Sequence, residues 1–234
     1  MPSYNCIVVE PEIEGNLGFL ARTMANFEIE ELVLVNPQFQ IGEEARNRAV
    51  HAQEIIDNAR IFESMEGALD TVDFAVGTTG IEASSSNPVR KSITPEEVAE
   101  RASEVEGDIG IVLGRESKGL SNQELERCDL VAKVPTSEEY PVMNITHAAA
   151  VIFYQLFKER GENKDRKASD RSQKKVLENI FKDTVELLGL DPEEQERSSR
   201  VLRNFVGRSF LDRREANTLI GTLKKVNQKL GEKK

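Results

Sequence analysis

Three stretches of this 234-residue chain place charged or amide side chains beside glycine at short spacing. In the first, Arg115 and Glu116 lie between Gly114 and Gly119, directly after the apolar run Ile109–Leu113. A short apolar run closed by glycine reads as a buried strand feeding a functional loop. In the second, a strand from Leu130 to Val134 leads into a loop bounded by Pro135 and Pro141. Val142, Met143 and Asn144 follow, and then an alanine-rich helix. The third is Gly15-Asn16-Leu17-Gly18 with Arg22 behind it. Polar residues in loops after strands suit a ligand site at strand carboxyl ends. Each residue has a chemical and a plain structural use. Arginine stays protonated, so Arg22 is suited to holding an anion rather than taking a proton, or it is a surface residue of an amphipathic helix. Asn16 can orient a ligand by donating and accepting, or it can cap a helix. Glu116 organises a site or makes a surface ion pair, and Arg115 meets a phosphate or braces its loop.

These residues need a scaffold, and hydrophobic periodicity supplies one. Strands are predicted at Asn5–Glu10, Leu32–Val35, Phe74–Gly77, Ile109–Leu113 and Leu130–Val134. Helices are predicted at Gly15–Phe27, with Leu17, Leu20, Met24 and Phe27 on one face, and at Glu43–Asn58 and Ser64–Leu69. Ser84–Asn87 reads as loop. Thr94, Pro95 and Glu97 form a capping box that opens another helix. Strand and helix alternate, which predicts an α/β fold with a parallel sheet covered on both faces. Gly161–Ser172 reads as a charged, aromatic-free linker. Beyond it, Gln173–Leu188, Glu193–Val206 and Asp212–Leu230, with Asp212 as its cap, form a small helical unit. The expected domains are 1–160, a linker 161–172, and 173–234.

Taken together the three stretches resemble the motifs of the SPOUT RNA methyltransferases, in the branch that methylates ribose 2′-hydroxyls. Gly15–Gly18 with Arg22 resembles motif 1, Gly114-Arg115-Glu116 with Gly119-Leu120 motif 2, and Met143-Asn144 before a helix motif 3. The resemblance covers roughly residues 4–157. It implies an α/β-knot fold, with the segment 130–156 threaded through a loop made by 74–119. It also implies S-adenosylmethionine folded in that knot and a symmetric homodimer. The implied catalytic residues are Arg22, Asn16, Glu116 and Asn144. The implied cofactor contacts are Thr78, Thr79, Gly80, Gly114, Val134, Pro141, Val142 and Met143. Val134 and Met143 would flank the adenine, and the glycines would let main chain approach it. Motif 3 departs from the usual form, since Val142 replaces a hydroxyl residue. His147 reads as a helix-opening residue, with no acidic partner identifiable.

Composition narrows the class. The formal net charge of −10 argues against a general nucleic-acid binder. Its distribution changes that argument: residues 1–161 carry 13 basic and 28 acidic side chains, residues 162–234 carry 18 and 13. Arg203, Arg208, Arg213 and Arg214 in the basic tail are candidate phosphate contacts, as is Arg115, although a solvated helical face explains the tail arginines equally well. The tail resembles the C-terminal extension of family members that methylate nucleotide 32 of the tRNA anticodon loop. The resemblance therefore implies a cytoplasmic tRNA 2′-O-methyltransferase. The same chemistry at the wobble position or on ribosomal RNA stays open, as does a non-catalytic knotted RNA-binding protein. No apolar run approaches a membrane span, and the N-terminus does not read as a signal peptide. Cys6 and Cys128 read as buried free thiols, and no His/Cys spacing suggests a metal.

Overall fold

The computed structural model describes residues 2–81, 92–103, 107–160, 171–208, 211 and 213–232. The chain divides into two compact units, Met1–Asp165 and Arg166–Lys234. The expected loop at 84–87, most of the expected linker and the Asp212 cap lie outside the described residues.

The first unit is built on six parallel strands: β1 (Ser3–Val9), β2 (Leu32–Val35), β3 (Arg60–Phe62), β4 (Phe74–Thr78), β5 (Asp108–Leu113) and β6 (Leu130–Ala132). Their spatial order is β3-β2-β1-β5-β4-β6. Registers such as Val8 beside Leu113 and Thr78 beside Ala132 align the carboxyl ends of neighbouring strands. Strands β1, β2 and β5 are apolar almost throughout because both their faces are covered. On one face Ile7, Val9, Val33, Val35 and Val112 pack with Met65, Ala68, Leu69 and Leu125. The alternate residues Cys6, Val8, Leu34, Ile111 and Leu113 are equally buried. Both cysteines are buried and free.

Helix α1 (Glu14–Asn26) follows β1 and buries Leu17, Leu20 and Met24, as its spacing predicts. It packs closely on α2 (Glu43–Ala49): a Cβ on Gly18 would lie 2.4 Å from the Ala45 carbonyl oxygen. The Glu14 carboxylate accepts from the Gly42 and Ala45 amides at 2.9 and 3.0 Å, so α1 also caps the start of α2. The single helix expected over Glu43–Asn58 is broken. Val50 adopts φ 54° and ψ −103°, a 3-10 turn covers Val50–Ala52, and α3 (Gln53–Asp57) follows. No glycine, asparagine or proline marks that break; tertiary packing of α2 against α1 overrides local propensity there. The short edge strand β3 was also absent from the periodicity reading.

Four further helices complete the unit: α4 (Met65–Leu69), α5 (Pro95–Ala102), α6 (Asn122–Glu126) and α7 (Ile145–Lys158). Ser64 caps α4, and capping boxes open α5 at Thr94/Glu97 and α6 at Ser121/Glu124. Helix α7 packs against both α1 and α5 and buries Ala149, Ile152, Phe153 and Leu156.

The second unit consists of α8 (Arg171–Leu187), α9 (Pro192–Arg208) and α10 (Arg213–Gly231). Helix α8 packs against both others. Leu177, Val206, Leu211 and Ala216 form its small core, flanked by Leu202, Ile220 and Leu223. Asn227 accepts from the Thr184 hydroxyl at 2.6 Å and donates to the Ile180 carbonyl at 3.0 Å, tying α10 to α8. Helix α8 starts at Arg171, two residues before the pattern predicts. Among the described residues no helix is long and apolar enough to cross a membrane.

Candidate active site

The strand order sets the site. Because β5, β4 and β6 are neighbours, the segments after them meet at the carboxyl ends of the strands. There they line a cavity of about 500 Å³. All eight residues expected to hold a cofactor lie in its wall: Thr78, Thr79 and Gly80 after β4, Gly114 after β5, and Val134, Pro141, Val142 and Met143 after β6. Leu113, Leu120, Ile145 and Ile152 add apolar surface. The volume suits a small organic ligand, and the mixture of apolar wall and exposed main chain suits a nucleoside.

Local bonds hold the wall in shape. The Thr78 hydroxyl donates to the Val112 carbonyl at 2.9 Å, and the Thr79 amide to the Ala132 carbonyl at 3.0 Å, so β4 is pinned to both neighbours. The Thr136 hydroxyl donates to the Pro141 carbonyl at 3.0 Å and closes the proline-bounded loop. A Cβ on Gly80 would approach the Pro141 oxygen and the Val142 Cα at 3.7 and 3.8 Å, which brings the loops after β4 and β6 together. Gly114 is required by its own loop: a Cβ there would lie 2.2 Å from the Gly119 carbonyl carbon. Gly119 turns the chain back at φ 66°, and its amide donates to the Arg115 carbonyl at 2.8 Å.

Two ionic clasps then lock this loop. Arg115 donates from Nε to Glu10 at 2.6 Å and from Nη1 and Nη2 to both oxygens of Glu124 at 3.0 and 2.9 Å. It also donates to the Gly119 carbonyl at 3.3 Å. Its side chain is only 10% exposed. Of the two readings open from sequence, bracing the loop is the one observed, with the guanidinium bonded inside the protein to Glu10, Glu124 and the Gly119 carbonyl. The pair holds the Glu124 carboxyl down at about 2, chiefly through the Arg115 hydrogen bonds, and lowers Glu10 for the same reason. Arg115 is raised in return, first by Glu124 and then by Glu10.

The second clasp joins the segment after β1 to the segment after β5. Glu116 accepts from the Glu12 amide at 2.8 Å and from the Asn16 side-chain amide at 2.9 Å. Glu12 answers by accepting from the Ser117 amide and hydroxyl at 2.9 and 2.8 Å. Asn16 thus lies within α1, bonded to Glu116, rather than capping the helix; the N-cap position is Ile13. Glu10, Glu12, Ser117 and Glu124 were not singled out in the sequence.

The remaining candidates are scattered. Arg22 lies exposed on α1, without an ion pair or hydrogen bond among the described residues. Asn144 is the N-cap of α7: its Oδ1 accepts from the Thr146 amide at 2.9 Å and hydroxyl at 2.7 Å. His147 is exposed in the first turn of α7, where its amide donates to the Asn144 carbonyl. In the second unit Arg203 donates to Glu178 at 3.2 Å, and Arg213 and Arg214 are exposed in the first turn of α10. Arg208 is the last residue of α9.

Comparison with known proteins decides the family. Residues 3–154 match the SpoU rRNA Methylase family. The chain belongs to the SpoU methylase family. The match spans the whole sheet and most of α7, and the second unit lies beyond it in sequence. A relative in Methanocaldococcus jannaschii, "tRNA (cytidine-2′-O-)-methyltransferase TrmJ", is 38% identical over 93% of this chain and 97% of its own. The TrmJ of Sulfolobus acidocaldarius is 30% identical over 97% and 94%. Among solved structures, TrmJ from Z. mobilis superposes with a TM-score of 0.75 at 23% identity, covering 97% of this chain and 99% of that one. The SpoU methyltransferase AviRb of Streptomyces viridochromogenes, in complex with AdoMet, shares the fold over 67% of this chain at a TM-score of 0.54 and 17% identity, with 60% of that chain covered.

Proposed function

We propose that this SpoU methylase transfers a methyl group from S-adenosylmethionine to a ribose 2′-hydroxyl of tRNA, at nucleotide 32 of the anticodon loop. The observation that carries the reading is the cavity itself: eight residues from three strand ends share one wall, beside a loop that Glu116 and Asn16 tie to α1. The tRNA substrate is supported by the two TrmJ relatives, which match along nearly the full chain.

The donor, when bound, supplies a methyl on a positively charged sulfur. The residues fit such a group. Val134 and Met143 provide apolar surface for an adenine, and the main chain at Thr78–Gly80 and Pro141–Met143 provides donors and acceptors. Arg22 carries the acceptor side. It stays protonated, so it holds the neighbouring phosphate and favours the ionised hydroxyl electrostatically, while the proton leaves to solvent. Asn144 spends its carbonyl oxygen on Thr146 and keeps its amide for donation to ribose. Asn16 is positioned by Glu116 to orient the same sugar. The substituted Val142, half exposed at the rim, removes one hydroxyl contact without altering the wall. Family membership supports a knot at 130–156, a homodimer that completes the site, and a cytoplasmic location alongside the substrate.

The test is transfer of labelled methyl to unmodified tRNA transcripts, with the product nucleotide located by mass spectrometry. A 2′-O-methyl at nucleotide 32 is the expected result. Methylation at the wobble position or of ribosomal RNA keeps the chemistry and discards the target. No transfer and no binding of S-adenosylmethionine by calorimetry leaves an RNA-binding protein.

A further inference from the structure

Among the described residues, three charged side chains line the cavity: Arg115, Glu116 and Lys118. Two of them are spent, Arg115 on Glu10 and Glu124, and Glu116 on the Glu12 amide and Asn16. Lys118 is exposed and has no ion pair or hydrogen bond among the described residues. It is not loosely placed. Ser117 before it is held by Glu12 through both amide and hydroxyl, and Gly119 after it is bonded back to Arg115. The backbone therefore presents this lysine from the tip of a fixed loop at the cavity mouth. Residues 1–161 hold 28 acidic against 13 basic side chains, yet no carboxylate among the described residues takes this ammonium, so it is open to an anion from outside.

We infer that Lys118 binds a phosphate of the RNA backbone next to the ribose whose hydroxyl enters the cavity. This rests on the proposed RNA methyltransferase activity and adds a substrate contact to it. A flexible ammonium acts on phosphate as a point charge, and its exposed position at the rim suits a group that remains partly hydrated. The methyl donor also carries an anionic carboxylate; the exposed position of Lys118 favours the polymer, and the separate cofactor titration distinguishes the two.

The experiment compares wild type with Lys118→Gln and Lys118→Arg in methyl transfer to tRNA across a salt series, with S-adenosylmethionine affinity measured separately by calorimetry. Lys118→Gln should raise KM for tRNA about five- to tenfold near 0.1 M salt and lower the log–log salt slope by about one, the signature of one lost phosphate contact. Its kcat at saturating RNA and its cofactor affinity should stay within about twofold of wild type, and Lys118→Arg should restore KM. An unchanged KM and slope would make Lys118 a solvated surface residue. Weakened cofactor affinity with unchanged KM for tRNA would assign it to the donor's carboxylate instead. Wild-type protein that methylates no RNA overturns the parent reading and this one with it, whereas an active wild type matched by Lys118→Gln overturns this inference alone.

Discussion

Arg115 and Glu124 show how a charge that looks available in sequence can be committed to structure. Glu124 is a side chain only 17% exposed whose carboxyl sits at about 2, well below the usual 4.5. A depressed folded-state value means the carboxylate form stabilises the fold, fully above pH 4.5 and progressively less as pH falls toward 2. The wild type should therefore exceed Glu124→Gln in unfolding free energy by about 2–3 kcal/mol at neutral pH. That gap should close between pH 4.5 and 2 in denaturant titrations. A pH-independent difference would show that packing, rather than ionisation, accounts for the effect. Arg22 makes the opposite case: exposed on α1 and unpartnered among the described residues, it has no evident structural duty. Arg22→Ala should lower kcat by about 10²–10³-fold, the cost of losing one stabilising donor at a developing oxyanion. Cofactor affinity should remain within about twofold, since Arg22 is not in the cavity wall. Substantial residual turnover would remove Arg22 from the mechanism.

Among the elements, α2 stores the clearest strain. Val50 combines positive φ with ψ −103°, a backbone region that only glycine enters freely, and its side chain is 48% exposed. Val50→Gly should thus relieve more strain than it loses in chain entropy and raise stability by about 1 kcal/mol, read as a higher midpoint in urea. A lower midpoint would mean that the Val50 side chain contributes packing that exceeds the strain. This position also marks where the sequence stopped being legible. Elements whose ends are set by their own residues were readable: the capping box at Thr94, the apolar face of α1, and β2 before Asn36 and Pro37. The break at Val50 ends a helix whose Ala45, Arg48 and Ala49 pack against Gly18 of another helix, and β3 is a three-residue edge strand with a largely exposed pattern. The site divides in the same way. Its loops followed strand ends and carried glycine, which marked where a site would lie, while the eight wall residues were named from the family resemblance. The clasp of Glu12 with Ser117 and of Asn16 with Glu116 spans about a hundred positions in sequence, and only the adjacency of β1 and β5 brings it about.

On the scale of the whole molecule, the two units divide the charge as well as the chain. The acidic first unit contains the cavity, every residue of its wall and a core of its own. The second is a three-helix unit with a separate core, within the basic third of the sequence. Among the described residues, those that line the cavity all belong to the first unit. A second set of phosphate contacts on the same chain as the proposed active site would raise the local concentration of bound tRNA, an effect worth orders of magnitude when both sites engage one molecule. Deleting residues 166–234 should therefore keep S-adenosylmethionine affinity within about twofold while weakening tRNA binding about 10- to 100-fold. It should also flatten the salt dependence, because the shortened chain, without contacts through Arg208, Arg213 and Arg214, would release fewer counterions on binding. Calorimetry with the donor and tRNA titrations at several salt concentrations read these outcomes separately, and the donor titration also reports that the shortened chain has folded. Equal tRNA affinity in the two forms would reduce the tail to a structural appendage and leave Arg22 and Lys118 as the RNA contacts of the first unit. Loss of both affinities would mean that the helical unit is needed to form the cavity, and the division of labour between the units would fall.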